Sequence, residues 1–164
     1  APNLVVTADN DAEKKHLATW KTGADALNAH KIPDILAVVA VNAVESDQTD
    51  AKDNVGKKEI EAGLKLFLGA FSDLKSTTSE SVAAGDYVVS IGRLEGTNDH
   101  DLGKMKKTDK KISLDVAEVS HFDKDGKVDH TWRFHSGMQL PGRIGASTPL
   151  MSCVPTDTPR GAMM

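Results

Sequence analysis

Residues 111–136 read KISLDVAEVSHFDKDGKVDHTWRFHS, and this stretch decides the fold. In its first part, apolar residues alternate with polar or small ones, as in a strand with one buried face. The sequence Asp123–Gly126 is a typical hairpin turn, and Val128–Ser136 reads as the returning strand. The stretch therefore predicts an antiparallel hairpin that carries Trp132 and Phe134 on one face.

Two further strands are predicted immediately before this hairpin. They cover Lys75–Ala83 and Tyr87–Thr97, and the residues between them, Ala84-Gly85-Asp86, suit a tight turn. The second strand places Arg93 and Glu95 on one face. Four successive strands joined by turns indicate an antiparallel sheet in the second half of the chain.

The first half is predicted to be mostly helical. Apolar residues recur every three or four positions in Asp11–His30 and in Gly56–Phe71, and Pro33 suits the first turn of a second helix between them. Val41–Asp50 reads as an apolar-then-acidic connection with one strand. The sequence therefore predicts an α+β fold, in which three N-terminal helices pack on a curved, mostly antiparallel sheet and enclose a pocket.

Composition limits the function classes. The chain has 164 residues, of which 39% are apolar and 27% charged, and its net charge is −4. One domain of this size buries a real core. The weakly acidic balance argues against nucleic-acid binding, and the absence of a long apolar run argues against a membrane span. We expect an N-terminal arm (1–10), one domain (11–140) and an irregular tail (141–164). The start at Ala1 leaves export after leader removal and a cytoplasmic location equally open.

Several short motifs resemble, in their order, those of the SnoaL-like polyketide cyclases. The resemblance covers about residues 12–142, and the motif order is more specific than any one motif. The matching runs are Gly56-Lys57-Lys58-Glu59-Ile60, Ala70-Phe71-Ser72-Asp73-Leu74, Gly85-Asp86-Tyr87-Val88, Gly96-Thr97-Asn98, Asp125-Gly126-Lys127-Val128 with Trp132, and Gln139-Leu140.

This resemblance implies a nuclear-transport-factor-2-like cone with an inner cavity. Cyclases of the family close a ring by intramolecular aldol condensation, with a carboxylate four residues after the tryptophan and a histidine on the preceding strand. The histidine position falls on His121, but the carboxylate position falls on Ser136. Asn98 stands where the family has a further histidine. The resemblance therefore supports the fold more than the cyclase chemistry.

A relocated acid/base site is the alternative. A serine hydroxyl without a base beside it cannot abstract a carbon-bound proton near neutral pH. Glu118 is the better candidate base, with a pKa that burial would raise, and His121 is its predicted catalytic partner. His130 and His135 lie on opposite faces of their strand, so we do not expect a three-histidine metal site. If the protein is catalytic, we expect acid/base chemistry without a metal or an organic cofactor.

The remaining candidates are side chains predicted to line the ligand pocket. Arg93, if it faces inward, would clamp a carboxylate or an enolate, whereas the alternative for Arg93 and Glu95 is a solvated ladder. Trp132 and Phe134 serve either as plain core or as pocket wall. The predicted lining is Trp20, Phe71, Arg93, Glu95, Thr97, His130, Trp132, Phe134 and Ser136.

Two classes of function follow. The first is an enzyme of cyclase, isomerase or hydrolase type that acts on a small hydrophobic molecule in the cone without a cofactor. The second is a non-catalytic domain that binds such a ligand or serves dimerisation. Both are compatible with a homodimer formed through the outer face of the sheet.

Overall fold

Within the part of the chain that the structure describes, seven strands form a single sheet in the order β1-β4-β5-β6-β7-β2-β3. The computed structural model describes residues 5–48, 50 and 52–135. The predicted tail and Ser136 lie outside these residues. The strands are β1 (Val5–Thr7), β2 (Val39–Asp47), β3 (Asn54–Val55), β4 (Lys75–Ala84), β5 (Tyr87–Thr97), β6 (Lys111–Phe122) and β7 (Val128–Phe134), and the helices are α1 (Asp11–Asn28), α2 (Ile32–Ala37) and α3 (Lys57–Ala70).

The centre of the sheet is the antiparallel run β4-β5-β6-β7 that the sequence predicts. Its β6–β7 turn depends on Asp123, whose carboxylate accepts hydrogen bonds from the backbone N–H groups of Asp125 and Lys127, both at 2.9 Å. Gly126 has φ +70°, a conformation that glycine adopts without steric cost. These features explain why the hairpin signal in the sequence is reliable.

Two parallel pairings complete the sheet. β1 pairs with β4, and β2 pairs with β7, while β3 adds to β2 in the antiparallel sense. Residues 5–7 are thus part of the sheet, and the expectation of an unanchored arm over 1–10 is wrong for them. Parallel partners are distant in sequence and carry no turn signal, which is why the pattern does not reveal them.

Three helices accompany the sheet in the described residues, but only two of them are long. α1 has 18 residues and α3 has 14, but α2 has only six. Pro33 starts α2 as expected, yet the chain leaves the helix at Val38 and enters β2. Val38, Val39 and Val41 are β-branched, and such residues favour strands over helices. No helix among the described residues combines the length and apolarity needed to cross a bilayer.

The two faces of the sheet differ in what covers them. Along β5, Val88 is fully buried and Ser90 is 8% exposed, whereas Tyr87 and Ile91 are 43% and 46% exposed. The buried side, here called the inner face, packs under the helices through clusters that include Phe71. The opposite side is called the outer face. The helices therefore cover the inner face, and the side chains on it contribute to the core.

Candidate functional site

A row of polar side chains crosses the inner face and divides its apolar core. Five residues on adjacent strands stand directly beside one another in register: Ser81 on β4, Ser90 on β5, Glu118 on β6, Arg133 on β7 and Asp47 on β2. One apolar cluster, built around Leu114, lies on one side of this polar row, and another, built around Phe122, lies on the other. Burial of polar groups costs free energy unless they are paired, so the row marks the part of the core that packing alone does not explain.

Arg133 is the centre of this row. Its Nε and Nη2 atoms lie 3.2 and 3.1 Å from Oε2 of Glu118, and Nη2 lies 3.6 Å from Oε1 of Glu45. The three side chains are 20–32% exposed. Glu118 is therefore committed to the guanidinium, whereas Glu45 makes a longer and weaker contact with it.

The surroundings set the protonation of these groups. Burial raises the pKa of the Glu45 carboxyl, and the positive charge of Arg133 offsets only part of this effect. Burial also works against the charge of Arg133, but Glu118, Glu45 and Asp47 together hold the pKa of its guanidinium above the usual value. The row thus combines a permanent cation with a carboxyl group that takes up a proton more readily than an exposed glutamate.

Asp47 and His135 extend the charged group at the same end of the sheet. Nε2 of His135 lies 3.0 Å from Oδ2 of Asp47, and both side chains are nearly buried. Among the described residues, no cluster of three or more His, Cys, Asp or Glu side chains is arranged to hold a metal ion. The arrangement suits proton transfer and the binding of a polar group by Arg133.

Three of the residues predicted from the sequence lie on the helix side of the sheet. Glu118 belongs to the polar row, and Trp20 packs from α1 against the apolar cluster that contains Phe122. Phe71 is fully buried in the other cluster, so it is core. The structure brings Glu118 together with Arg133, which the sequence analysis did not single out.

Seven other predicted residues lie on the outer face, away from the helices. His130 pairs with His121, and Trp132 pairs with Val119, so these side chains share the face of the exposed Ile91. The predicted His121–Glu118 pair is therefore not formed, because neighbouring residues of β6 point to opposite faces. The residues on the outer face are Arg93, Glu95, Thr97, His121, His130, Trp132 and Phe134.

These outer residues have local partners. His121 Nδ1 lies 2.5 Å from Asp129 Oδ1, and the His130 ring stacks on Trp132 with centroids 3.6 Å apart. Arg93 donates to Asp115 at 2.9 Å, as in the solvated ladder that was the alternative for this strand.

Thr97 forms two hydrogen bonds to Asp73, just before the start of the neighbouring strand. Its backbone N–H and hydroxyl donate to the two carboxylate oxygens of Asp73, at 2.6 and 2.8 Å. These hydrogen bonds lower the pKa of Asp73 and fix the start of β4 against the end of β5.

Four inner-face residues were missed: Glu45, Asp47, Arg133 and His135. The sequence carried no local signal for the pairing of Arg133 with Glu118. A bulge between His121 and Phe122 shifts the register that the turn at Asp123–Gly126 begins, and only after this shift does Arg133 stand opposite Glu118. Glu45 and Asp47 also had no local signal, because β2 reaches β7 through a parallel pairing.

Comparisons with known proteins show to which family the chain belongs. Residues 21–131 match the model of the SnoaL-like domain, which is more than half of the sequence. The chain belongs to the SnoaL-like domain family. A comparison with curated proteins finds no match. The resemblance noted in the sequence is thus confirmed at the level of the family.

Solved structures of similar proteins confirm the fold. A protein from a Jannaschia species, assigned to the SnoaL-like polyketide cyclases, is 14% identical with a TM-score of 0.78, covering 87% of this chain and 99% of its own. AclR of Streptomyces galilaeus, assigned as a hydroxylase, is 20% identical with a TM-score of 0.72. The match covers 83% of this chain and 99% of AclR. A nuclear-transport-factor-2-like protein of unknown function from Burkholderia pseudomallei is 14% identical with a TM-score of 0.69. The match covers 79% of this chain and 97% of the Burkholderia protein. At these identities the three structures show a shared fold alone: one is assigned as a cyclase, one as a hydroxylase, and the function of the third is unknown.

Proposed function

We propose that this SnoaL-like protein binds a small, mainly apolar molecule against the inner face and moves a proton on it without a cofactor. The observation that carries the proposal is the polar row, which divides the apolar core where the helices cover the sheet. Perturbed carboxyl groups beside a fixed cation are typical of sites for acid/base chemistry. The reaction class is the one shared by cyclases and isomerases, proton removal next to a carbonyl.

Glu45 is the proposed proton acceptor, and Glu118 holds Arg133 in place. The Glu45 carboxylate takes the proton from the carbon next to the ligand's carbonyl, so that the C–H bond breaks and an O–H bond forms on Glu45. The electron pair moves into a C=C bond, and the carbonyl electrons move to oxygen. Arg133 has N–H groups beyond those that face Glu118 and Glu45, and these stabilise the enolate oxygen. Return of the proton from Glu45 to another carbon completes an isomerisation. In a ring closure, the enolate carbon attacks a second carbonyl, and the oxygen of that carbonyl takes the proton from Glu45.

The first prediction concerns proton abstraction from a model ketone. With 2-tetralone in D₂O, the protein is expected to catalyse loss of the α-proton NMR signal, and Glu45→Gln is expected to slow this exchange by about 100-fold. The rate should rise with pH through the raised pKa of Glu45, because only the ionised carboxylate accepts a proton.

The matched control is Glu95→Gln, which changes an exposed glutamate on the outer face and should leave the rate unchanged. Both variants are first checked for an unaltered unfolding transition. If the wild-type protein binds 2-tetralone but exchanges no deuterium, the non-catalytic binding domain replaces the enzyme as the function. If Glu45→Gln exchanges at the wild-type rate, the role of Glu45 is wrong.

We also propose that two copies pair through the outer face. Val82, Tyr87, Val89, Ile91 and Phe134 are 38–46% exposed and lie on β4, β5 and β7 of this face. An exposed apolar surface of this kind is typical of an interaction site. Arg93 and Asp115 are paired within the chain, as are His121 and Asp129, so these charges do not oppose a second copy.

The second prediction tests this pairing. Ile91→Lys places a charge in the centre of the apolar outer face and should convert a dimer into a monomer in sedimentation velocity. Leu66→Lys is the control, because Leu66 is equally exposed (49%) but lies on α3. A wild-type protein that sediments as a monomer, or an Ile91→Lys variant that remains dimeric, would exclude this interface.

A further inference from the structure

Helix α1 is fixed to the sheet at its N-terminal end by hydrogen bonds to a turn. The Glu13 carboxylate accepts from the N–H of Gly85 at 2.9 Å, and His16 Nδ1 lies 3.1 Å from the Gly85 oxygen. The His16 ring also stacks on Phe122 with centroids 4.6 Å apart. Both Glu13 and His16 are buried, so this end of α1 is firmly placed against the β4–β5 turn.

The C-terminal end of α1 is fixed in the same way. The Asn28 amide donates to the backbone oxygen of Ser76 at 2.9 Å and accepts from its N–H at 2.7 Å. This pair of hydrogen bonds joins the helix to the start of β4. The spacing between α1 and β4 is therefore set at both ends, independently of the side chains between them.

Between these two attachments the helix and the strand leave an open cleft of about 430 Å³. The helix contributes Trp20 and Ala24 to it, and β4 contributes Ser76, Thr78 and Ser81. The side chains on β4 and at Ala24 are short, so they do not fill the space that the two attachments hold open. A cleft of this volume lies within the usual range for small-molecule sites.

The two walls of the cleft differ in chemistry. The helix wall presents an indole and small apolar side chains, together with Lys21 and Asp25, whose charges are paired with each other at 2.6 Å. The strand wall presents hydroxyl groups. Within the part of the chain that the structure describes, the hydroxyls of Thr78 and Ser81 make no hydrogen bond to another residue. They are therefore available to a ligand, while the indole offers a flat surface for an aromatic ring.

A bulge shapes the strand wall. The pairing of β4 with β5 shifts register between Thr78 and Glu80, and a bulge of this kind bends a strand. At this point the backbones approach so closely that a Cβ on Gly92 would lie 2.4 Å from the Thr77 oxygen. A glycine is thus required opposite the bend that forms one wall of the cleft.

We propose that the cleft between α1 and β4 is a binding site for a flat, uncharged ring compound that carries a carbonyl or hydroxyl group on one edge. The ring lies against Trp20, and the polar edge hydrogen-bonds with Thr78 and Ser81. Ser81 also begins the polar row, and Glu118 lies two strands away, which is about 10 Å. Resting here on the proposed function, a ligand held in the cleft lies at the Ser81 end of the polar row that contains Arg133.

The experiment uses 2-tetralone as the probe and the two tryptophan indole N–H signals as reporters. Titration should shift the signal of Trp20 and leave that of Trp132, on the outer face, in place; Trp132→Phe assigns the signals. Tetralin, which lacks the carbonyl, should bind about tenfold more weakly. Removal of the strand hydroxyls by Ser81→Ala with Thr78→Val should abolish this preference.

A filling variant tests the location directly. Ala24→Phe places a ring in the cleft and should weaken 2-tetralone binding by about tenfold or more, while Ala62→Phe, at an exposed position of α3, should not. A shift of Trp132 alone, no shift of Trp20, or unchanged binding by Ala24→Phe would overturn the site. Shifts of the Trp20 signal without deuterium exchange would support binding in the cleft and refute the acid/base proposal. Deuterium exchange without shifts of the Trp20 signal would support the acid/base proposal and refute binding in the cleft.

Discussion

The Arg133→Met variant is expected to lose about 3 kcal/mol of unfolding free energy, because it leaves Glu118 and Glu45 without their cation. Methionine keeps much of the aliphatic volume, so the loss reports the charge and not a cavity. The value lies at the low end for a buried ion pair, since the Arg133 side chain is 32% exposed. Urea denaturation followed by circular dichroism measures it.

Arg93→Met is the matched control. Arg93 also pairs with a carboxylate across neighbouring strands, but on the outer face, where the two side chains are 56% and 72% exposed. Exposed pairs contribute little, so we expect a loss of about 0.5 kcal/mol. The double variant Glu118→Gln with Arg133→Met should recover part of the stability that Arg133→Met loses. Equal losses for the two arginines would show that the polar row is as solvated as the outer face.

Phe71→Ala is expected to destabilise the protein by about 4 kcal/mol, as is typical when a buried aromatic ring is deleted. Phe71 is fully buried and packs with Phe67, whose ring centroid lies 5.0 Å away. The midpoint of thermal or urea unfolding measures the loss. The result also separates core from pocket wall, because a ring that faced a solvent-filled cavity would cost far less to remove.

Leu66→Ala provides the comparison on the same helix. Leu66 is 49% exposed, and its truncation should change the unfolding free energy by less than about 0.5 kcal/mol. A small loss for Phe71→Ala, similar to that for Leu66→Ala, would mean that the cluster around Leu114 is not the main core.

The sequence was most informative where neighbouring residues determine the structure. The alternation in Lys111–Phe122 and the turn at Asp123–Gly126 predicted the central hairpin, and the 3.6-residue period predicted α1 and α3. These signals are local, so they do not depend on which surfaces later meet. The family resemblance rested on the same segments, together with the order of their motifs.

Which face of the sheet the helices cover could not be predicted from the pattern of neighbouring residues. Trp132 and Phe134 were expected to face the cavity because they are large and apolar. The outer face of this sheet is itself apolar, as Val89 and Ile91 show, so apolarity did not identify the inner face. A bulge at His121/Phe122 adds a second difficulty, because it interrupts the alternation between the two strands of the hairpin.

The two-ended attachment of α1 has a consequence for protein engineering. Its anchors, Glu13 and Asn28, bond to main-chain atoms of the sheet, so they hold regardless of what occupies the middle of the helix. Libraries randomised at positions 20 and 24 should therefore yield folded variants with altered ligand selectivity. In such variants, ligand specificity can change through the residues in the middle of α1, while the hydrogen bonds of Glu13 and Asn28 keep the helix in place.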